Sequence, residues 1–303
     1  MVRNHLSALG FYFFLPLLYL ISILPFRMLY ILSDILFPFV YYLVGYRKKV
    51  VLDNLRNSFP EKTEQEIHSI SKKFYRHFTD VILEILKMQT VSPRVLSKRI
   101  NYSNPELLRK YFDQNKGVIA LSAHFNNWEW TSACSEWGPH HPVVIYKPLH
   151  NRYFDRFMKK GREKQGAEMI PMRDTLRRLI KDQKEGNLVL YGMIYDQSPV
   201  WQETQHWTTF LGQYTAVMTG AEKLALKTGL PVVYFSMRKL KRGRYIIDLI
   251  PISEDHTGKK ENEITEDFYR CMEEKIRANP EFWLWTHRRW KLTPRKLAEM
   301  ENS

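Results

Sequence analysis

A histidine and an acid five residues apart, His124 and Glu129 in GVIALSAHFNNWEW (residues 117–130), could move a proton. A neutral imidazole can take hydrogen from an alcohol, and a carboxylate on its far nitrogen fixes the tautomer and steadies the imidazolium. Spacing alone does not single this pair out. With 10 histidines and 32 acids in 303 residues, chance supplies roughly one such hit. The chain has three: His124/Glu129, His150/Asp155 and His256/Glu261.

Context separates them. His124 closes the small, apolar run 117–123, which predicts a buried strand, and a helical pattern follows it. Ligands of open α/β sheets bind beyond the carboxyl ends of strands. A helix starting near Asn126 would aim free N–H groups at the same spot, which suits an oxyanion or a phosphate. Glu129, on its first turn, would bond the imidazole. The alternative for His124 is a structural histidine tied to a neighbouring strand. His256 lies in the polar loop SEDHTGKKEN, and His150 lies in KPLHNRYFD on the way into a helix. No Ser or Cys occupies a G-x-S-x-G turn. The alcohol would therefore be the substrate's own hydroxyl, and the reaction a direct acyl transfer without a covalent acyl-enzyme.

Other side chains are candidates for substrate contact. Lys147, Asn151, Arg152 and Arg162 fall in one basic stretch, where they would hold phosphates or form a solvated helix face. Asp196 ends the apolar run LVLYGMIY, another strand end, where an acid bonds substrate or pins a loop; Gln197 goes with it. Phe210 and Gly212 suit a channel wall or a tight turn. Trp283, Trp285 and Trp290 read first as core, with an acyl-pocket wall or an interfacial anchor as alternatives, and His287 and Arg288 as support for the site or as a basic helix or strand end near the membrane.

These residues need a scaffold. Strand patterns fall at 117–123, 142–146, 187–194, 231–237 and 244–250, and helix patterns at 104–113, 126–137, 151–165, 173–184, 215–228 and 262–278. Such alternation predicts an α/β fold with a mixed, mostly parallel central sheet flanked by helices. A further helix is expected over 63–88, where Ile67, Ile70, Phe74, Phe78, Ile82 and Ile85 recur at helical spacing behind a capped start at Thr63.

The N-terminus is different in kind. Residues 8–26 carry no charge, and at about 1.5 Å per residue a helix of that length matches a bilayer's hydrocarbon. A second apolar stretch, 28–46, is interrupted by Asp34 and Pro38 and followed by Arg47, Lys48 and Lys49. Residues 1–46 are thus expected to be a membrane anchor, one spanning helix plus an interfacial or second hydrophobic helix. Residues 47–303 would form the catalytic domain, with the cationic cluster favouring the cytoplasmic side.

The net charge of +14 calls for an anionic partner or simple solubility. No basic-aromatic nucleic-acid module is present. Cys134 and Cys271 lack ligand spacing, so neither a disulfide framework, a metal nor a cofactor is expected.

The His124 stretch resembles the H-x-x-x-x-[DE] block of the lipid A late acyltransferases of Gram-negative bacteria. Further blocks follow in that family's order: YKPLHNRYFDRFMKKGREKQG (146–166), YDQSP (195–199), TTFLGQYTAVMTGAEKLALKTGLPVV (208–233) and NPEFWLWTHRRWK (279–291). The likeness covers roughly residues 45–292. It implies His124 as general base with Glu129 as its partner. The acyl donor would be a thioester on acyl carrier protein, and the acceptor a hydroxyl on a membrane glycolipid of lipopolysaccharide synthesis. The setting would be the cytoplasmic face of the inner membrane, among its lipids. The same chemistry on an aminolipid or a phosphatidylinositol mannoside is the neighbouring reading, and a basic, non-enzymatic membrane adaptor is the reading of another class.

Overall fold

A computed structural model of the protein describes residues 2–136 and 138–301. Two helices, α1 (Val2–Ile23) and α2 (Phe26–Pro38), open the chain, and α2 runs on into a π-helical turn, Phe39–Val44. The expected span at 8–26 is cut by Pro25, which lacks an N–H and disfavours helix at the residue before it. Among the described residues the apolar part of α1 is Gly10–Ile23. Among the described residues the helix long and apolar enough to cross a membrane is Phe26–Val44, with mean hydropathy 1.4.

Next come α3 (Lys48–Ser58) and α4 (Glu64–Lys87), the latter with the anticipated cap: Thr63 and Glu66 bond each other's backbone N–H reciprocally. On α2, Leu29, Ser33 and Phe37 recur every four residues and are buried. They form the face toward α4, where the Ser33 hydroxyl donates to Asp80 at 2.7 Å. Met28, Ile31, Ile35 and Phe39 stay exposed.

The remainder is α5 (Pro93–Ser97), β1 (Ile100–Tyr102), α6 (Glu106–Asp113), β2 (Val118–Ser122), β3 (His141–Tyr146), α7 (Arg152–Lys164), β4 (Glu168–Pro171), α8 (Thr175–Glu185), β5 (Val189–Ile194), β6 (His206–Phe210), β7 (Gln213–Val217), α9 (Gly220–Thr228), β8 (Val232–Lys241), β9 (Arg244–Ser253), α10 (Glu263–Ala278) and α11 (Thr293–Glu301). Seven strands form one sheet in the order β1-β9-β8-β2-β5-β3-β4. Every neighbouring pair is parallel except β8 and β9, an antiparallel hairpin. The mixed, mostly parallel α/β sheet is as the sequence pattern predicts. β2 is central and all five of its residues are buried, because helices and loops cover both sheet faces.

At the tip of the β8–β9 hairpin, Gly243 has φ +69°, and a Cβ there would collide with the Tyr30 ring of α2. Only glycine permits both the turn and this approach. Beside it, Arg242 bonds Asp34 of α2 and Asp80 of α4. The acid that interrupts the second apolar stretch is thus a polar fastening of α2 to the body.

Two expected helices differ. Where a helix is expected over 126–137, the described residues form a 3-10 segment, Trp128–Glu136, after Asn126 takes φ +54°. Residues 213–217 are a strand of the β6–β7 hairpin, and only Gly220–Thr228 is helical.

Candidate functional site

The site grows out of strand register. β2 and β5 are parallel neighbours with Ser122 opposite Ile194. Two residues beyond each strand stand His124 and Asp196, so the register brings the imidazole and the carboxylate together. Nδ1 of His124 lies 2.7 Å from Oδ1 of Asp196. Oδ2 accepts the His124 backbone N–H at 3.0 Å and the Trp283 indole N–H at 2.7 Å. Asp196 is 2% exposed. Burial would push its carboxyl up, but the charge His124 carries when protonated and the hydrogen bonds from its ring and backbone, with the bond from Trp283, outweigh this and hold it below the ordinary value. The carboxylate therefore stays ionised and accepts a hydrogen bond from Nδ1–H. The Gln197 amide nitrogen lies 3.1 Å from Nε2 and completes the same tautomer: Nδ1 carries hydrogen and Nε2 presents a lone pair.

The chain beyond β2 is bent to expose this ring. Phe125 N–H bonds Ala123 C=O at 2.7 Å, and Asn126 N–H bonds Phe282 C=O at 2.8 Å. The Asn126 amide donates to Met237 C=O, and the Asn127 amide to Glu84 on α4. Glu84 is fully buried and also accepts from Tyr30 and Tyr245, each at 2.7 Å. Burial raises the pKa of this carboxyl against the pull of its three donors. Glu84→Ala strands those donors in the interior, so a loss of about 3 kcal/mol or more is expected. Chemical denaturation in detergent measures it; a midpoint equal to wild type would refute the assignment.

His124 faces a cavity of about 1320 Å³ lined also by Trp128, Glu129, Lys147, Arg162 and Gln197. The Trp128 ring lies 5.0 Å from the imidazole, centroid to centroid. One wall is apolar and comes from the sheet: Ala120 of β2, Val144 of β3, Leu190 and Gly192 of β5, and Phe235 of β8. Towards the mouth lie Leu149, Phe154 and Met172, all exposed.

Glu129 does not spend its carboxylate on His124. Arg162 grips it with two hydrogen bonds, Nε to Oε2 at 2.7 Å and Nη2 to Oε1 at 2.8 Å. Burial disfavours the Arg162 charge, but the facing carboxylate more than compensates and keeps the guanidinium firmly protonated. The expected first helical turn would have pointed Glu129 back at the ring. The left-handed Asn126 and the 3-10 segment direct it across the cavity to α7. Asn151, expected to touch substrate, caps α7 instead: its Oδ1 accepts from Tyr153 N–H at 3.0 Å and Phe154 N–H at 3.2 Å. Asp196, also expected to touch substrate, lies behind the imidazole. Lys147, Arg162 and Gln197 line the cavity. His256 is held by Leu230 C=O and Ser253, a structural role, and Asp155 accepts from Leu149 N–H.

Sequence reasoning missed the part of Trp283 as a donor to Asp196. The order Trp-x-Trp-x-His after Pro280 was visible, but its partner 87 residues upstream was not. Among the described residues no group of three His, Cys, Asp or Glu side chains could hold a metal ion.

The sequence model for bacterial lipid A biosynthesis acyltransferases matches residues 2–292. The lipid A biosynthesis lauroyltransferase of Escherichia coli (strain K12) is 26% identical over 295 residues, covering 96% of this chain and 93% of that protein. The palmitoleoyltransferase of the same organism is 23% identical over 250 residues, covering 82% and 80%. A lipid A biosynthesis acyltransferase of Shigella flexneri gives the same identity and coverage.

Proposed function

Because the chain belongs to the bacterial lipid A biosynthesis acyltransferase family, we propose that it moves a fatty acyl group from a thioester onto a hydroxyl of a lipid A precursor. One observation carries the mechanism: the Asp196–His124 pair, with Nε2 facing a large, half-apolar cavity. The acceptor hydroxyl displaces the Gln197 amide from Nε2 and gives its proton there. Its oxygen bonds the thioester carbonyl carbon, and the carbonyl electron pair moves to oxygen. The tetrahedral intermediate collapses, the C–S bond breaks, and the imidazolium returns the proton to the departing thiolate. Asp196 stays ionised and steadies the imidazolium.

The polar groups sort by position. Arg162 offers Nη1 beyond its fork with Glu129, and Lys147 stands at the rim. Both suit anionic groups of the acceptor. The acyl chain lies along the apolar wall over Ala120 and Gly192. A Cβ at Gly192 would make only ordinary contact with Val144, 3.7 Å away, so a side chain there is tolerated and fills the wall. Gly192→Val is expected to shift preference toward shorter thioesters, at about 0.8 kcal/mol per methylene excluded. Competition among a chain-length series measures this; an unchanged profile means the chain lies elsewhere.

The donor is acyl carrier protein, an acidic partner for a chain of charge +14. Raising salt should raise its Michaelis constant; a salt-independent constant would exclude this docking. The protein sits on the inner membrane's cytoplasmic face. The exposed apolar side of α2 meets lipid while its polar side is fastened to the body, an arrangement suited to an interfacial helix. Exposed Leu149 and Phe154, near α1 through the Phe11–Tyr153 and Phe11–Phe157 ring contacts, put the cavity mouth close to that surface. Mass spectrometry of membrane lipids from cells with and without the intact protein tests the whole reading. Loss of one acyl chain from lipid A is expected, and identical lipids would refute it.

A further inference from the structure

The transfer needs a donor for the oxygen that becomes negative in the tetrahedral intermediate, and the mechanism above leaves that place open. We propose that His287 is that donor, through Nε2–H, an inference that rests on the acyl-transfer reading. His287 lines the same cavity as His124.

Its backbone is tied to the site on both sides. Three residues earlier, Leu284 N–H bonds the His124 C=O at 3.0 Å, and one residue before that Trp283 bonds Asp196. The His287 C=O accepts from the Asn54 amide of α3 and from Arg289 N–H, each at 2.9 Å. Trp285 and Arg289, on either side, are fully buried. The backbone that carries the ring is therefore held in place.

The tautomer follows from the surroundings. Nδ1 of His287 is buried and has no hydrogen-bond partner among the described residues. A buried lone pair left unpaired costs less than a buried charge, so the ring is neutral. Burial, with the positive charges of Arg289 and Lys291 nearby and that of His124 once it is protonated, lowers its pKa to about 4 against the opposing pull of Asp196. A single proton is best placed on Nε2, where the cavity can supply an acceptor. A neutral imidazole donating to a developing oxyanion is chemically competent. Two neutral histidines then divide the work, His124 taking a proton through its Nε2 lone pair and His287 donating a hydrogen bond through its Nε2–H.

Removing one such donor lowers kcat by about 100-fold. His287→Phe is expected to do this with both Michaelis constants within threefold of wild type, while His287→Gln, which keeps an N–H, recovers at least part of the rate. Binding separates catalysis from structure. A thioether analogue of the donor, which lacks the carbonyl oxygen, should bind His287→Phe as it binds wild type. A tetrahedral phosphonate analogue should bind it more weakly, by a factor close to the loss in kcat/KM. A His287→Phe protein with near-normal kcat, or one that loses both analogues equally, overturns the assignment. Either result leaves the role of His124 standing, since that is tested by His124→Ala and His124→Gln.

Discussion

His124→Ala is expected to lower kcat for acyl transfer by about a thousandfold, because a positioned general base contributes on that order. The residue's N–H to Asp196 and C=O from Leu284 are backbone bonds and survive the change. The cavity wall keeps its apolar residues, so lipid binding should persist. The alanine does leave the buried Asp196 without its imidazole, and some stability goes with it. His124→Gln separates the effects: it keeps an N–H donor near Asp196 but supplies no base. Both variants should be inactive, and the glutamine variant should melt closer to wild type. Transfer at the wild-type rate by either would end the general-base mechanism.

Asp196→Asn should be nearly as damaging, by a route the hydrogen bonds make explicit. Oδ2 serves two donors, His124 N–H and Trp283 Nε1–H, so the amide oxygen of asparagine must take that place. Its NH2 then faces Nδ1, which can only accept. The imidazole hydrogen moves to Nε2 and the base is blocked. A fall in kcat of about 1,000- to 10,000-fold is expected from a wrong-tautomer change of this kind. Glu129→Gln provides the contrast. Its carboxylate holds Arg162 rather than the imidazole, so the main loss should appear as a raised KM for the anionic acceptor. If instead Glu129→Gln loses kcat and Asp196→Asn does not, the imidazole works with Glu129 during turnover. Asp196 also ties stability to pH. Its folded pKa is depressed, so its contribution is present above the ordinary aspartate value and is lost as pH falls through the folded value. Asp196→Asn should flatten that acid limb in a pH series of unfolding midpoints.

The fold was legible where burial imposes a period. β2, β3, β5, β8 and β9 are long apolar runs, and α4, α7, α8 and α10 show helical spacing, because each must cover one core. β1 and β4, three and four residues long, carry too little pattern to be seen. β7 reads as the start of a helix because its alternation is weak and Ala216–Ala225 is rich in helix formers, and β6 carries no pattern that reads as either.

The amino-acid sequence by itself placed His124 at a strand end, named Arg162 and Gln197 as candidates for substrate contact, and carried the family's ordered blocks. These are local facts, since residue type and hydrophobic period act over a few neighbours. Which carboxylate meets the imidazole was decided only by tertiary structure. The choice depends on β5 lying beside β2 in one register, on the left-handed turn at Asn126 that sends Glu129 to Arg162, and on Trp283 arriving from the far end of the chain. Strand order is set by how all the apolar faces pack at once, and no short stretch of residues contains that information.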